Sequence, residues 1–147
     1  MANSLKKAMT DFLRPDDQLR TLRPLVPTET PADAATDTVG DFLHATLRPV
    51  LKLQNDLLLA AVADFVRDHH IPLATADATT QQRLLAELLG RNTKLRYTII
   101  GLVTALFTAA EYAYYRTQRP ELNRRLLALA QQRVLGQAAA VGVLAVA

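Results

Sequence analysis

The chain has 147 residues, the size of one domain, and a formal net charge of +3. Half of it is hydrophobic, yet four Phe, four Tyr and no Trp leave the core to Leu, Ala, Val and Ile, a mix that favours helices. With no Cys, disulfides, thiolate nucleophiles and iron–sulfur ligation are excluded, and five Gly with seven Pro leave little room for turn-rich β architecture.

Residues 1–37 read as a mobile, Pro-rich arm. Pro15, Pro24, Pro27 and Pro31 each remove a backbone donor and push the preceding residue out of the helical region. One amphipathic turn around Leu5, Met9, Phe12 and Leu13 is the exception, and the arm is expected to add little stability. No apolar run follows Lys6 and Lys7, so a secretory signal is not expected and a cytoplasmic location is. The tripeptide Leu-Arg-Pro recurs at 13–15, 22–24 and 47–49 without matching flanks, which reads as coincidence.

A helical domain is predicted over 38–137. Asp41, or Thr38 slightly earlier, can cap its start, and Leu47, Leu51, Gln54, Leu58, Ala61, Val62 and Phe65 recur at spacings of three and four. This predicts one long helix to about Arg67, with Pro49 either inside its early part, where it would kink the axis, or opening a second stretch. Leu53, Leu57 and Leu59 lie off that stripe, so the helix is apolar on more than one side and is read as central or as an oligomer interface. Asp77 or Thr75 caps a short helix from Ala78 to Leu89, with Gly90 as a left-handed stop. Thr108 and Glu111 have capping-box spacing, which divides the next region into helices over 93–106 and 109–117. Pro120 suits the first turn of a helix over 120–136, and 138–147 forms an uncharged apolar tail. No stretch reaches the roughly 20 apolar residues that a membrane span needs. The expected fold is all-α, a compact bundle of four or five helices behind the arm.

Little chemistry is indicated. The only serine is Ser4, without a GxSxG context, and neither GxxxxGK[ST] nor GxGxxG occurs. His44, His69 and His70 lack the Glu-x-x-His pairs of a di-iron bundle and are read as helix-end residues. Asp56, amid leucines and one turn from Lys52, could be a half-buried base, but pairing with a cation is the favoured reading. Gln54 is read as a register-fixing amide and Glu111 as a cap, so Gln54, Asp56 and Glu111 are the candidate buried polar centre. No catalytic residue, metal ligand or cofactor is assigned.

Charge is distributed unevenly. Through Gln82 there are 8 basic and 11 acidic residues; beyond it there are 9 basic and 3 acidic. Arg116, Arg119, Arg124 and Arg125 are therefore candidate contacts for nucleic acid or for an acidic protein surface. No aromatic is interleaved among Arg119, Arg124, Arg125 and Arg133 to stack on bases, so pairing with the chain's own acidic half, within or between subunits, is the favoured reading.

Thr46-Leu47-Arg48-Pro49, Leu51-Lys52-Leu53-Gln54-Asn55-Asp56 and Phe107-Thr108, Glu111-Tyr112, Tyr115 resemble segments of a group of small bacterial helical proteins. These often carry the label hypothetical or glyoxalase. The resemblance spans about 41–137 and implies a helical fold, but no activity, substrate or cofactor, and it transfers no functional residue. Where that group has Glu-Glu-Tyr, this chain has Ala110-Glu111-Tyr112. Glyoxalase chemistry of the metal-dependent kind is not expected, because it needs paired βαβββ modules presenting His and Glu. The predicted function is a non-catalytic interaction or assembly module that self-associates and can hold a protein partner. The alternatives are a nucleic-acid-binding accessory protein and a small enzyme or ligand-binding bundle.

Overall fold

A computed structural model describes residues 14–24 and 38–147. In chain order the elements are α1 (Asp16–Thr21), α2 (Val39–Phe42), a π-helical stretch (Leu43–Leu47), α3 (Arg48–Leu53), α4 (Asn55–Asp68), α5 (Ala78–Arg91), α6 (Thr93–Thr104), α7 (Ala109–Thr117), α8 (Arg119–Leu135) and α9 (Ala138–Ala145). All regular structure among the described residues is helical, and none of these helices is long and apolar enough to cross a membrane.

The all-α expectation is met, but there are more helical segments than four or five, for local reasons. The predicted long helix is interrupted twice. A widened π turn precedes Pro49, with the Arg48 N–H reaching back five residues to the Leu43 carbonyl. Such a turn accommodates a proline whose ring would otherwise press on the Ala45 carbonyl. The second break is at Gln54, whose side-chain amide donates to the Leu102 carbonyl in the last turn of α6 at 2.8 Å. Gly90 does not stop α5. It lies inside the helix with an ordinary negative φ, and Asn92 ends α5 and opens α6, its side chain accepting from the Leu95 N–H. The predicted division before α7 is present, with both bonds of the capping box formed by Thr108 and Glu111.

The core is built by α3 to α9 around Leu51, Leu58, Val62, Leu85, Leu95, Ile99, Leu122 and Leu126, all essentially inaccessible. Phe42 packs edge-on against Phe107 and tilted against Tyr114, joining α2 to the α6–α7 connection. The predicted apolar tail is helical: α9 buries Ala138, Val141 and Gly142 and packs along α4. The two helices run parallel, since Asn55 meets Gln137 at one end and the Arg67 guanidinium caps the Leu144 and Ala145 carbonyls at the other. Gly142 faces the loop after α4, where a Cβ would stand 3.5 Å from Ala74 Cα, an ordinary contact distance.

Candidate functional site

The connection between α6 and α7 leaves helix-end carbonyls and amides that need partners. They are satisfied from distant parts of the chain. Arg14 donates to the Ala105 and Phe107 carbonyls at 2.8 and 2.9 Å, and Arg23 donates to the Leu106 carbonyl at 3.0 Å. The Asp16 carboxylate accepts the Ala109 N–H. Residues 14–24 fall in the range predicted as an arm, and through these bonds and the buried Leu19 they are fastened to this connection. The rest of residues 1–37 lies outside the described residues.

Glu111 is the centre of this arrangement. Its Oε1 accepts from Arg23 Nη2 at 2.6 Å and from the Thr108 N–H at 2.8 Å; its Oε2 accepts from Arg23 Nη1 at 2.6 Å and from the Thr46 hydroxyl at 2.9 Å. The side chains are 10% exposed for Arg23 and 18% for Glu111. Burial pushes the Glu111 carboxyl up, but the Arg23 bonds and charge, the Thr108 amide and the Thr46 hydroxyl outweigh it and hold the group below its ordinary value. A carboxylate with two donors on each oxygen is a structural anchor rather than a base poised to take a proton.

The three members of the predicted polar centre are not one site. Gln54 serves the Leu102 carbonyl, Glu111 serves the α6–α7 connection, and Asp56 is exposed in the first turn of α4. The half-buried amide cluster lies one residue earlier than Asp56. Asn55 and Gln137 exchange side-chain hydrogen bonds at 2.9 and 2.8 Å, and Arg133 donates to the same Asn55 oxygen at 3.1 Å. This ties α4 to the α8–α9 corner.

The histidines are dispersed. His44 contacts the Arg48 guanidinium, while His69 stacks on Phe65 and its Nδ1 lies 3.0 Å from the Phe65 carbonyl. Among the described residues no three His, Asp or Glu side chains converge as metal ligands would.

Of the candidate arginines, Arg116 is exposed at the end of α7 and Arg119 lies over the Tyr115 ring at 5.5 Å. Arg124 and Arg125 both clasp Glu121, with bonds of 2.7 to 3.1 Å. Hydrogen bonds from Arg124 and then Arg125 take the Glu121 carboxyl down to about 2. These two arginines also border a depression of about 240 Å³ with Leu43, Leu129 and Gln132. A second depression of about 260 Å³ shares Leu129 and Gln132 and adds Arg48, Leu51 and Arg133. Together they make a groove along α8, walled on its other side by the π turn and α3.

Sequence reasoning missed Arg23, Arg48 and Arg133 as members of these sites. Arg48 was counted with the acidic half of the chain, whereas the fold sets it beside the basic half. Compared with known proteins, the chain matches no family model, and no curated protein or solved structure matches it.

Proposed function

We propose that the protein is a non-catalytic helical module that assembles with a second copy of itself. The observation that carries this reading is an apolar surface on the adjoining helices α4 and α9. Leu57 is 49% exposed near the start of α4; toward the other end of the pair Val143 and, just past α9, Val146 are 68% and 72% exposed, with Leu144 beside them. Large apolar side chains left exposed along one helix pair are the kind of surface that interaction sites use. No charged residue occurs in 134–147, so the α9 side of this face offers a partner dry contact, while α4 adds the exposed Asp56 and Asp64. Two copies of such a face are self-complementary about a twofold axis, the commonest arrangement of homodimers. Membership of the small helical group that the 41–137 segments resemble belongs to the same proposal. The nucleic-acid reading draws less support, because no aromatic ring borders the arginine-lined depressions to stack on a base.

Leu57→Asp and Val143→Asp alter exposed side chains and should leave helicity unchanged. Light scattering is expected to give a dimer for the parent chain and a monomer for either variant. A parent chain that is monomeric throughout the micromolar range would overturn the reading.

A further inference from the structure

We infer that the arginine-bordered groove between α8 and the π turn is a docking site for an acidic amphipathic helix of a partner protein. The proposal uses none of Leu57, Val143 or Val146, so it stands independently of self-assembly. Three observations converge on it.

The first is length and shape. From Arg124 to Arg133 the groove follows nine residue steps of α8, about 14 Å at helical rise. A trough of that length between two helical walls suits a third helix laid along it.

Charge is the second. Arg48, Arg124, Arg125 and Arg133 border the groove, and Glu121 is the one carboxylate ion-paired to any of them among the described residues. Arg48 and Arg133 contact His44 Nδ1 and Asn55 Oδ1, neither of them a carboxylate. Glu121 also shows how the groove takes a carboxylate: one oxygen accepts from both Arg124 and Arg125. Arg125 and Arg133, eight residues apart, are spaced to meet acidic side chains two turns apart on one face of a facing helix.

The third is the floor. Leu43 and Leu129 present aliphatic surface, with the buried Leu51 beneath them, and no aromatic ring borders either depression. A nucleobase would find no ring to stack on, whereas a Leu or Ile between two carboxylates would fill the space. The π turn contributes directly, since Leu43 is its first residue and Arg48 follows its last. Single widened turns of this kind are frequently found at functional sites.

The test uses the full chain and a fluorescent peptide whose helical face alternates Glu and Leu, read by anisotropy. Comparison probes are a peptide of equal charge with Ser for Leu, and a single-stranded oligonucleotide. The Glu/Leu peptide is expected to bind, and the Ser peptide to bind about tenfold more weakly for want of the aliphatic contact. Arg48→Glu with Arg124→Glu, both exposed positions, should weaken binding by about tenfold or more, while Arg116→Glu outside the groove should not. Equal binding of the Ser peptide, tighter binding of the oligonucleotide, a double variant with unchanged affinity, or no peptide binding would each overturn the proposal. Light scattering on the same samples reports self-assembly, so failure of one reading is distinguishable from failure of the other.

Discussion

Glu111 shows how much of this molecule can depend on one side chain. Removing Arg23 would leave a mostly buried carboxylate with the Thr46 and Thr108 donors but no countercharge. Arg23→Ala should therefore cost about 3 kcal/mol in urea unfolding, the scale for stranding one member of a buried pair. The acid dependence follows from the depressed carboxyl. The folded protein binds this proton less readily than the unfolded chain, whose carboxyl keeps the ordinary 4.5. The stabilisation is complete above 4.5 and is lost as pH falls through the lower folded value. Glu111→Gln should remove that component, so the difference between parent and variant narrows with acidification. A difference that stays constant from pH 6 to pH 3 would contradict this account. Arg23 was not legible as the partner, because it stands 88 positions from Glu111 and nothing in its local pattern marks it. The capping role of Glu111 was legible, since it rests on a spacing of three.

At the level of the element, the helix ends carry the lesson. Local signals such as Asp77 and Thr108 before helical runs are good guides, and at the start of α2 the cap is Thr38 rather than Asp41; each of the three accepts the backbone N–H three residues on. Glycine was the misleading signal. Gly90 lies within α5, while the left-handed end of α4 falls to His70, at φ 53°. The bonds from His70 N–H to the Arg67 carbonyl and from Ile71 N–H to the Val66 carbonyl form a Schellman closure normally completed by glycine. The two positions should accept exchanged residues. His70→Gly relieves the left-handed cost of a side chain, partly offset by glycine's greater freedom when unfolded. Gly90→Ala restores helix propensity at an exposed site where a Cβ meets nothing within 4 Å. Each is expected to stabilise by about 0.5 to 1 kcal/mol, and the pair additively, in thermal unfolding. Destabilisation by His70→Gly would count against the closure. The π turn and the break at Gln54 were not legible, because both answer to neighbours that the fold supplies.

For the whole molecule, residues 14–24 matter most. Length, composition and periodicity were enough to fix the all-helical class and most helix positions. The fastening of 14–24 was hidden, since prolines at 15 and 24 describe the local chain and not the three polar side chains between and beside them that reach the α6–α7 connection. Deleting residues 1–24 should destabilise the protein by more than Arg23→Ala alone, because the Arg14 and Asp16 bonds go with it. Circular dichroism during urea titration checks this; a truncated chain as stable as the parent would show that these bonds add nothing net.

The parallel pairing of α4 and α9 bears on biosynthesis. Parallel helices cannot be joined by a tight hairpin, and here the matching ends, Asn55 and Gln137, are 82 positions apart. Translation at roughly 5 to 20 residues per second leaves about 4 to 16 s between the emergence of one and the other. Throughout that interval the side of α4 that receives α9 is uncovered on the ribosome. The nascent chain therefore has a defined window in which a chaperone, or another nascent copy, can reach a surface that the finished protein hides.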